Sequence, residues 1–133
     1  MITLLFGEVL ERRLSLKEQE VTVWDSDITL SLEWAAWRIQ RREHILCSST
    51  SENGIDSQLE RGAKTLEGKA VIRTALSKIS YDLTLWFEEG YKIKVFCDQV
   101  NDVLRRNNYL VRYRKRIFVI TSGSLLNVEE RRA

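Results

Sequence analysis

Proline is absent from this chain of 133 residues, and histidine occurs once. Because proline averages about 5% of residues in globular proteins, its absence argues against proline-rich linkers and proline-rich ligand segments. Turns must then be made by glycine, asparagine and short polar clusters, which suits tight antiparallel connections. The turn candidates are Asn53-Gly54, Glu89-Gly90, Ser122-Gly123 and Asp25-Ser26-Asp27.

The single histidine, His44, excludes a metal site built from several histidines. Cys47 follows three residues later, a spacing that on a strand places the two side chains on opposite faces. We therefore expect His44 to be a structural residue of a hairpin. Cys47 and Cys97 are the only cysteines, and they do not fall on corresponding positions of the repeat described below. We expect both thiols to be free, as is usual in a reducing compartment.

Glycine, hydroxyl and carboxylate side chains form no recognisable catalytic arrangement. The six glycines are scattered singly rather than grouped to cradle a phosphate. The hydroxyl-rich segment 48–51 has no sequence context that would activate a nucleophile. Four carboxylates fall at hairpin tips, where exposure does not suit acid-base chemistry: Asp25, Asp27, Glu88 and Glu89. We therefore expect no enzymatic activity, no cofactor and no metal site.

Apolar residues do not form a long continuous run. The run Ile2–Phe6 is far shorter than a membrane span or the apolar part of a signal sequence. We therefore expect a cytoplasmic protein without membrane association. Apolar residues make up 44% and charged residues 30% of the chain, as in soluble globular proteins. The length predicts a single domain over residues 1–133.

Alternation of apolar and polar residues is the dominant pattern, and it predicts β-strands. The clearest runs are 28–34, with an apolar residue at every even position, and 91–97, with an apolar residue at every odd position. Shorter runs predict strands at Ile2–Phe6 or Glu8–Leu16, Val21–Trp24, Trp37–Gln40, Ile45–Ser48, Ala70–Leu76, Asp82–Phe87, Tyr109–Arg114, Ile117–Thr121 and Leu125–Val128.

Two short helices are expected to interrupt the strands. Residues 55–64 place an apolar residue at every fourth position from Ile55, which gives one apolar helix face. Residues 99–106 carry a similar apolar group behind Asp98, a residue type that caps helices.

The two halves of the chain resemble copies of one strand pattern. Val21–Trp24 is echoed by Leu83–Trp86 at an offset of 62 positions, and 28–32 by 91–95 at an offset of 63. Later, 37–42 is echoed by 111–116 at an offset of 74. The offset changes between strands, as turns of variable length would require. We predict a duplication, with repeat 1 at about 1–54, a connecting helix at about 55–65 and repeat 2 at about 66–133.

The predicted fold class is α+β, dominated by β-structure, with two short helices. Each repeat alone would expose an apolar face, which the other repeat can cover. We expect two related antiparallel β-repeats that either pack as a sandwich or close into a barrel-like single body. Trp24 and Trp86 occupy matching positions of the repeats. They could be symmetric core residues or symmetric outward contact points, and we expect the core.

Charge is distributed unevenly along the chain. Residues 1–65 carry 8 Lys or Arg and 11 Asp or Glu, whereas residues 66–133 carry 13 and 8. The basic excess is concentrated in the acid-free segment 105–116, from which we take these candidate partner-binding residues: Arg105, Arg106, Tyr109, Arg112, Arg114, Lys115 and Arg116. Arginine offers a charged fork and tyrosine a stacking face, so the segment could bind phosphates or an acidic protein surface.

A purely structural interpretation of the same segment is the one that we favour. Its arginines would stand on the solvated face of a hairpin, with Val111 and Tyr113 pointing inward and Lys115 in the turn.

Several short strings resemble those of small bacterial β-rich proteins from uncharacterised families. They are the openings Leu5-Phe6-Gly7 and Leu66-Glu67-Gly68, the string Asp82-Leu83-Thr84-Leu85, and the strand end Val95-Phe96-Cys97-Asp98. Some of these families are similar to immunity proteins encoded beside polymorphic toxins. The resemblance implies a protein partner of that kind.

We expect a non-enzymatic protein-binding domain, with an immunity-like partner of a bacterial toxin as the form that the resemblance implies. The alternative is a nucleic-acid-binding module that uses the basic segment 105–116, whose binding should weaken steeply with added salt. An enzyme ranks third, because no catalytic grouping is apparent.

Overall fold

A computed structural model describes residues 2–7, 10–16, 19–25, 27–51, 57–98, 106–121 and 125–130. Strands dominate this part of the chain, and every strand predicted from alternation is present. The elements are β1 (Ile2–Phe6), β2 (Leu10–Leu16), β3 (Gln19–Asp25), β4 (Ile28–Leu32), β5 (Ala36–Arg41), β6 (His44–Ser48), α1 (Gln58–Lys64), β7 (Val71–Leu76), β8 (Leu83–Phe87), a 3₁₀ turn (Glu88–Gly90), β9 (Tyr91–Phe96), β10 (Asn107–Tyr113), β11 (Arg116–Thr121) and β12 (Leu125–Glu130).

The strands form two five-stranded antiparallel sheets and one separate hairpin. The first sheet has the order β1-β4-β10-β11-β12, and the second has the order β6-β5-β9-β8-β7. The hairpin consists of β2 and β3. Among the described residues the sheets do not close on themselves, so the barrel-like alternative is wrong. The prediction of a β-dominated antiparallel fold is confirmed.

Each half of the chain contributes strands to both sheets. From the first half, β4 pairs with β10, while β5 pairs with β9. The sequence offsets match β4 with β9 and β5 with β10. Each strand therefore pairs with the strand that matches its neighbour in the chain, and not with its own match. The hairpins β5–β6 and β10–β11 each turn at an arginine of positive φ, Arg42 at 52° and Arg114 at 55°. These two arginines stand 72 positions apart, whereas the sequence comparison set the offset at 74.

Apolar side chains from both sheets form one buried cluster. Ile39 and Ile93 are fully buried and face each other across β5 and β9. In the first sheet Leu32 is fully buried and stands opposite Tyr109, which is 3% exposed. The alternation in the sequence explains this, because successive strand residues point to opposite sheet faces. Burial of each such side chain stabilises the fold by about 1.5–3 kcal/mol.

The chain passes from the first sheet to the second through residues 33–35, and a β-bulge in β10 anchors this passage. The extra residue of the bulge is Asn108, which is completely buried. Its carbonyl oxygen accepts hydrogen bonds from the backbone N–H groups of Glu33 and Ala35, both at 3.1 Å. Its side-chain amide donates to the carbonyl oxygen of Thr121 at 3.1 Å. The bulge therefore fixes where β5 begins.

Helix α1 lies against β6. Its N-cap is Ser57, whose hydroxyl accepts a hydrogen bond from the backbone N–H of Glu60 at 3.2 Å. Leu59 and Ala63 pack on the core cluster, as predicted, while predicted positions 55–56 lie outside the described residues. Of the second predicted helix, 99–105 lies outside them too, and Arg106 is not helical.

Candidate binding surfaces

The predicted basic segment does not form one continuous surface. Arg106 lies just before β10, with its guanidinium carbon 3.9 Å from the ring centroid of Trp34. Arg114 and Lys115 form the turn at the other end of β10, and Arg116 begins β11. Seven strand residues separate the two ends, which corresponds to about 20 Å. Arg105 lies outside the described residues.

Tyr109 does not belong to an exposed surface. Its side chain is 3% exposed, and its hydroxyl donates to the carbonyl oxygen of Tyr81 at 2.7 Å. Burial, followed by the charges of Cys97 and Asp82, raises its pKa. The prediction that Tyr109 meets a partner is therefore wrong, because the ring is part of the core.

Arg112 stands apart from the hairpin tip, on the outer face of the first sheet. Its guanidinium donates to the hydroxyl of Thr29 at 3.2 Å, and it lines a groove of about 500 Å³ together with Asn127 and Glu129. Val111 packs on the core and Lys115 lies in the turn, as the structural interpretation predicted. Tyr113, which the same interpretation directed inward, is not buried: it is 42% exposed at the end of the sheet.

The outer face of the second sheet carries a different cluster of cations, which we call the basic face: Arg38, Arg73, Lys92 and Lys94. Buried Ile39, Ile93 and Val95 alternate with cationic neighbours on β5 and β9, so these neighbours must point outward. None of the five strands of this sheet contains Asp or Glu. In the described part of the chain, no cation of the basic face has a carboxylate partner.

Two cations of the basic face are directly opposed. Arg38 on β5 is the cross-strand partner of Lys94 on β9. Like charges in such positions destabilise a sheet by a few tenths of a kcal/mol to about 1 kcal/mol. In addition, the Nε of Arg38 is shielded from solvent and has no hydrogen-bond partner. An anion bound between the two side chains would offset their repulsion.

Aromatic rings lie among these cations. Trp86 stands opposite Lys92 on one side and Arg73 on the other, and the guanidinium carbon of Arg73 is 4.7 Å from its ring centroid. Phe96 is 38% exposed, with the guanidinium carbon of Arg38 at 5.6 Å from its ring centroid. The expectation of a core position is wrong for Trp86. This residue lies between the buried Leu85 and Phe87 on β8, so its half-buried side chain points to the opposite face of the sheet. The side chain of Trp24 lies outside the described part of the structure.

The far edge of the second sheet exposes apolar side chains. The edge strand is β7, where Ile72 is 67% exposed and Leu76 is 52% exposed. In the turn that follows, Ile79 is 91% exposed. We call these three residues the apolar edge. Sequence reasoning assigned β7 as a strand but could not place it at an edge.

The thiol of Cys97 lies in a partly buried, hydrogen-bonded position. The thiol of Cys97 donates a hydrogen bond to the carbonyl oxygen of Tyr81 at 3.5 Å, and the backbone N–H of Cys97 donates one to the carboxylate of Asp82 at 2.8 Å. Burial, followed by the charges of Asp82 and Asp98, raises the pKa of this thiol to about 12. It therefore stays protonated at neutral pH and is a poor nucleophile. Both cysteines are free, as predicted.

The described residues bring no set of metal ligands together. Within the described ranges, no three His, Cys, Asp or Glu side chains come close enough to share an ion. His44 is exposed at the start of β6, whereas Cys47 is buried in the same strand.

Comparisons with known proteins identify no relative. No protein-family model, no curated protein and no solved structure matches the chain significantly. No helix in the part of the chain that the structure describes is long and apolar enough to span a membrane.

Proposed function

We propose that this chain is a non-enzymatic protein-binding domain, and that a partner strand adds to the second sheet at β7. The observation that carries the proposal is the apolar edge, where Ile72, Leu76 and Ile79 are all more than half exposed. Apolar side chains exposed beside an open strand are typical of protein contacts. Strand addition gives affinity through the main chain and specificity through alternate side chains.

The backbone of β7 has groups available for this pairing. Ser77 donates its backbone N–H toward the neighbouring chain segment, to the carbonyl oxygen of Asp82 at 2.9 Å. Because backbone groups alternate in direction along a strand, those of Thr74 and Leu76 point away from β8. Among the described residues no strand pairs with this side of β7.

The length of the available edge is limited. A β-bulge interrupts the ladder between Val71 and Arg73, and bulges protect sheet edges from pairing. The regular part of the edge therefore runs from Arg73 to Leu76. A partner would pair along this short stretch and cover the flanking side chains of Ile72 and Ile79.

The expected immunity-like role fits into this proposal. A cytoplasmic immunity-like protein needs a stable scaffold and one exposed binding surface, without chemistry of its own. We further infer that the sheets pack as a sandwich, since residues of both form one core, and that the halves arose by duplication, since matched strands interchange in the pairing. The partner would then be a toxin domain that presents a strand.

The test is a comparison of edge variants in quantitative affinity capture, followed by binding measurements with the purified partner. Thr74→Pro removes a backbone donor that points away from β8, which an edge strand tolerates. Ile79→Lys places a charge on the apolar edge. Val128→Lys, on the edge strand β12 of the other sheet, is the matched control. We expect the wild type and the control to retain the same partner. The affinity of both edge variants for this partner should be at least about tenfold lower, which corresponds to about 1.4 kcal/mol. Equal retention by all four proteins contradicts the proposal.

A further inference from the structure

We propose that the basic face of the second sheet is a binding site for single-stranded nucleic acid, with phosphates on its cations and unpaired bases on Trp86 and Phe96. This inference depends on the outer face of the sheet and not on the apolar edge. The basic face shares no residue with the segment 105–116. In that segment, Arg106 lies at one end of β10, the hairpin tip lies at the other end, and Arg112 lines a separate groove.

The charge of the face favours a polyanion. Arg38, Lys92 and Lys94 project from two adjacent strands of a sheet that has no Asp or Glu in any strand. Opposed cations such as Arg38 and Lys94 cost stability in the absence of a ligand. A phosphate diester between them would supply the missing negative charge, and arginine is well suited to bind it through charge-assisted hydrogen bonds.

The aromatic rings favour a nucleic acid with unpaired bases. Single-strand-binding surfaces combine basic side chains that follow the backbone with aromatic rings that stack on bases. On β9, Lys92 is the cross-strand partner of Trp86, and Phe96 lies four residues further along. That separation is about 13 Å along the strand, several times the rise of about 3.4 Å per nucleotide in a stacked strand. Bases on the two rings would therefore not be neighbours, and the strand between them would pass Lys94.

A duplex fits this surface less well than a single strand. The major groove, about 12 Å wide, admits a two-stranded ribbon but not a face of five strands about 4.8 Å apart, so an undistorted duplex would offer this face mainly phosphates. Its bases would be stacked on one another and unavailable to Trp86 and Phe96. We therefore expect a preference for single strands that disappears when the aromatic side chains are removed.

The experiment measures fluorescence anisotropy of a labelled oligothymidylate of about 15 nucleotides, with a duplex of equal length and polyglutamate as comparison ligands. Lys94→Gln removes one opposed cation, while Trp86→Leu and Phe96→Leu each remove one stacking ring. Lys115→Gln, at the tip of the β10–β11 hairpin, is the matched control for loss of one charge. Circular dichroism establishes that each variant is folded. Thr74→Pro, the edge variant, should bind the oligothymidylate like the wild type.

We expect the oligothymidylate to bind in about 50 mM salt and log K to fall with log salt at a slope near −3, since about four phosphates are neutralised at about −0.7 each. Lys94→Gln should make that slope shallower by about 0.7, and each ring variant should weaken binding by about tenfold. Lys115→Gln should change the affinity less than about twofold.

Three results would overturn the inference. One is the absence of oligothymidylate binding at low salt. Another is an equal loss for Lys115→Gln and Lys94→Gln. A third is tighter binding of polyglutamate with no effect of the ring variants, which would assign the face to an acidic polypeptide. None of these results bears on the apolar edge, so the two proposals fail separately.

Discussion

Arg38 and Lys94 stand directly opposite each other in the ladder between β5 and β9. Both project from the outer face of a sheet whose strands carry no carboxylate. Repulsion between such partners opposes folding. The sheet is nevertheless formed, because Ile39, Ile93 and Val95 bury the opposite face of the same two strands. Burial of the inner face thus compensates for the repulsion between Arg38 and Lys94 on the outer face, where the two positive charges would attract an anion.

Removing one of the opposed charges should stabilise the protein. We expect Lys94→Thr to raise the free energy of unfolding by about 0.2–1 kcal/mol, since repulsion from Arg38 is lost. Urea denaturation at low salt measures the change. Lys92→Thr is the control, because Lys92 stands between Gln40 and Trp86 and has no cation opposite it. An equal gain in both variants would show that the pair with Arg38 is not the cause.

Truncation of Ile93 should be among the most costly changes in the second sheet. This side chain is completely buried between β5 and β8. We expect Ile93→Ala to lower the free energy of unfolding by about 2–5 kcal/mol through lost burial and a cavity. Ile72→Ala, at a position 67% exposed, should change it by no more than about 0.5 kcal/mol. Similar losses for both variants would contradict the placement of the core.

Gly62 should not tolerate a methyl group, although alanine normally stabilises a helix. A Cβ at this position would overlap the side chain of Cys47, lying only 2.8 Å from its Cβ. We expect Gly62→Ala to destabilise the protein by about 1–3 kcal/mol through overpacking. Cys47→Ala removes the sulfur but keeps the Cβ, so Gly62→Ala should destabilise the protein less in the Cys47→Ala background than in the wild type, without becoming neutral. If the effect of Gly62→Ala is the same in both backgrounds, the close contact between α1 and β6 is not responsible.

The thiol of Cys97 should make stability depend on pH in the alkaline range. Burial, with Asp82 and Asp98, raises its pKa from 9.0 to about 12. The folded chain therefore holds this proton more tightly, so the contribution to stability is present below about pH 9 and is lost as the pH rises toward 12. Between neutral pH and about pH 10, the wild type should lose more free energy of unfolding than Cys97→Ala. Tyr109 also has a raised pKa and remains in both proteins, but the charge of Cys97 contributes to that shift, so the difference between the two proteins reports Cys97 together with its effect on Tyr109. Parallel losses in the two proteins would contradict the raised pKa.

The strands were predictable because alternation is a local property of the sequence. Ile93 and Val95 alternate with Lys92 and Lys94, and the structure buries the first pair and directs the second outward. The same rule applied to β8 would have corrected the expectation for Trp86, which lies between the inward-facing Leu85 and Phe87.

The candidate binding surfaces were not predictable, because they depend on pairing between distant strands. Arg38 and Lys94 are 56 positions apart in the chain and meet only because β5 pairs with β9. The cations of the basic segment 105–116 are close together in the sequence, yet a strand of seven residues separates Arg106 from the hairpin tip. Cations that are close in the sequence therefore need not share a surface, whereas cations that alternate along paired strands do lie on one face.

The most direct test of the account is a two-dimensional NMR titration of the labelled protein with the oligothymidylate at low salt. The account predicts shifts of backbone amides in β5, β8 and β9, together with the indole N–H of Trp86, and little change around Arg114 to Arg116. Shifts confined to the β10–β11 hairpin or to the groove around Arg112, with the second sheet unaffected, would contradict it.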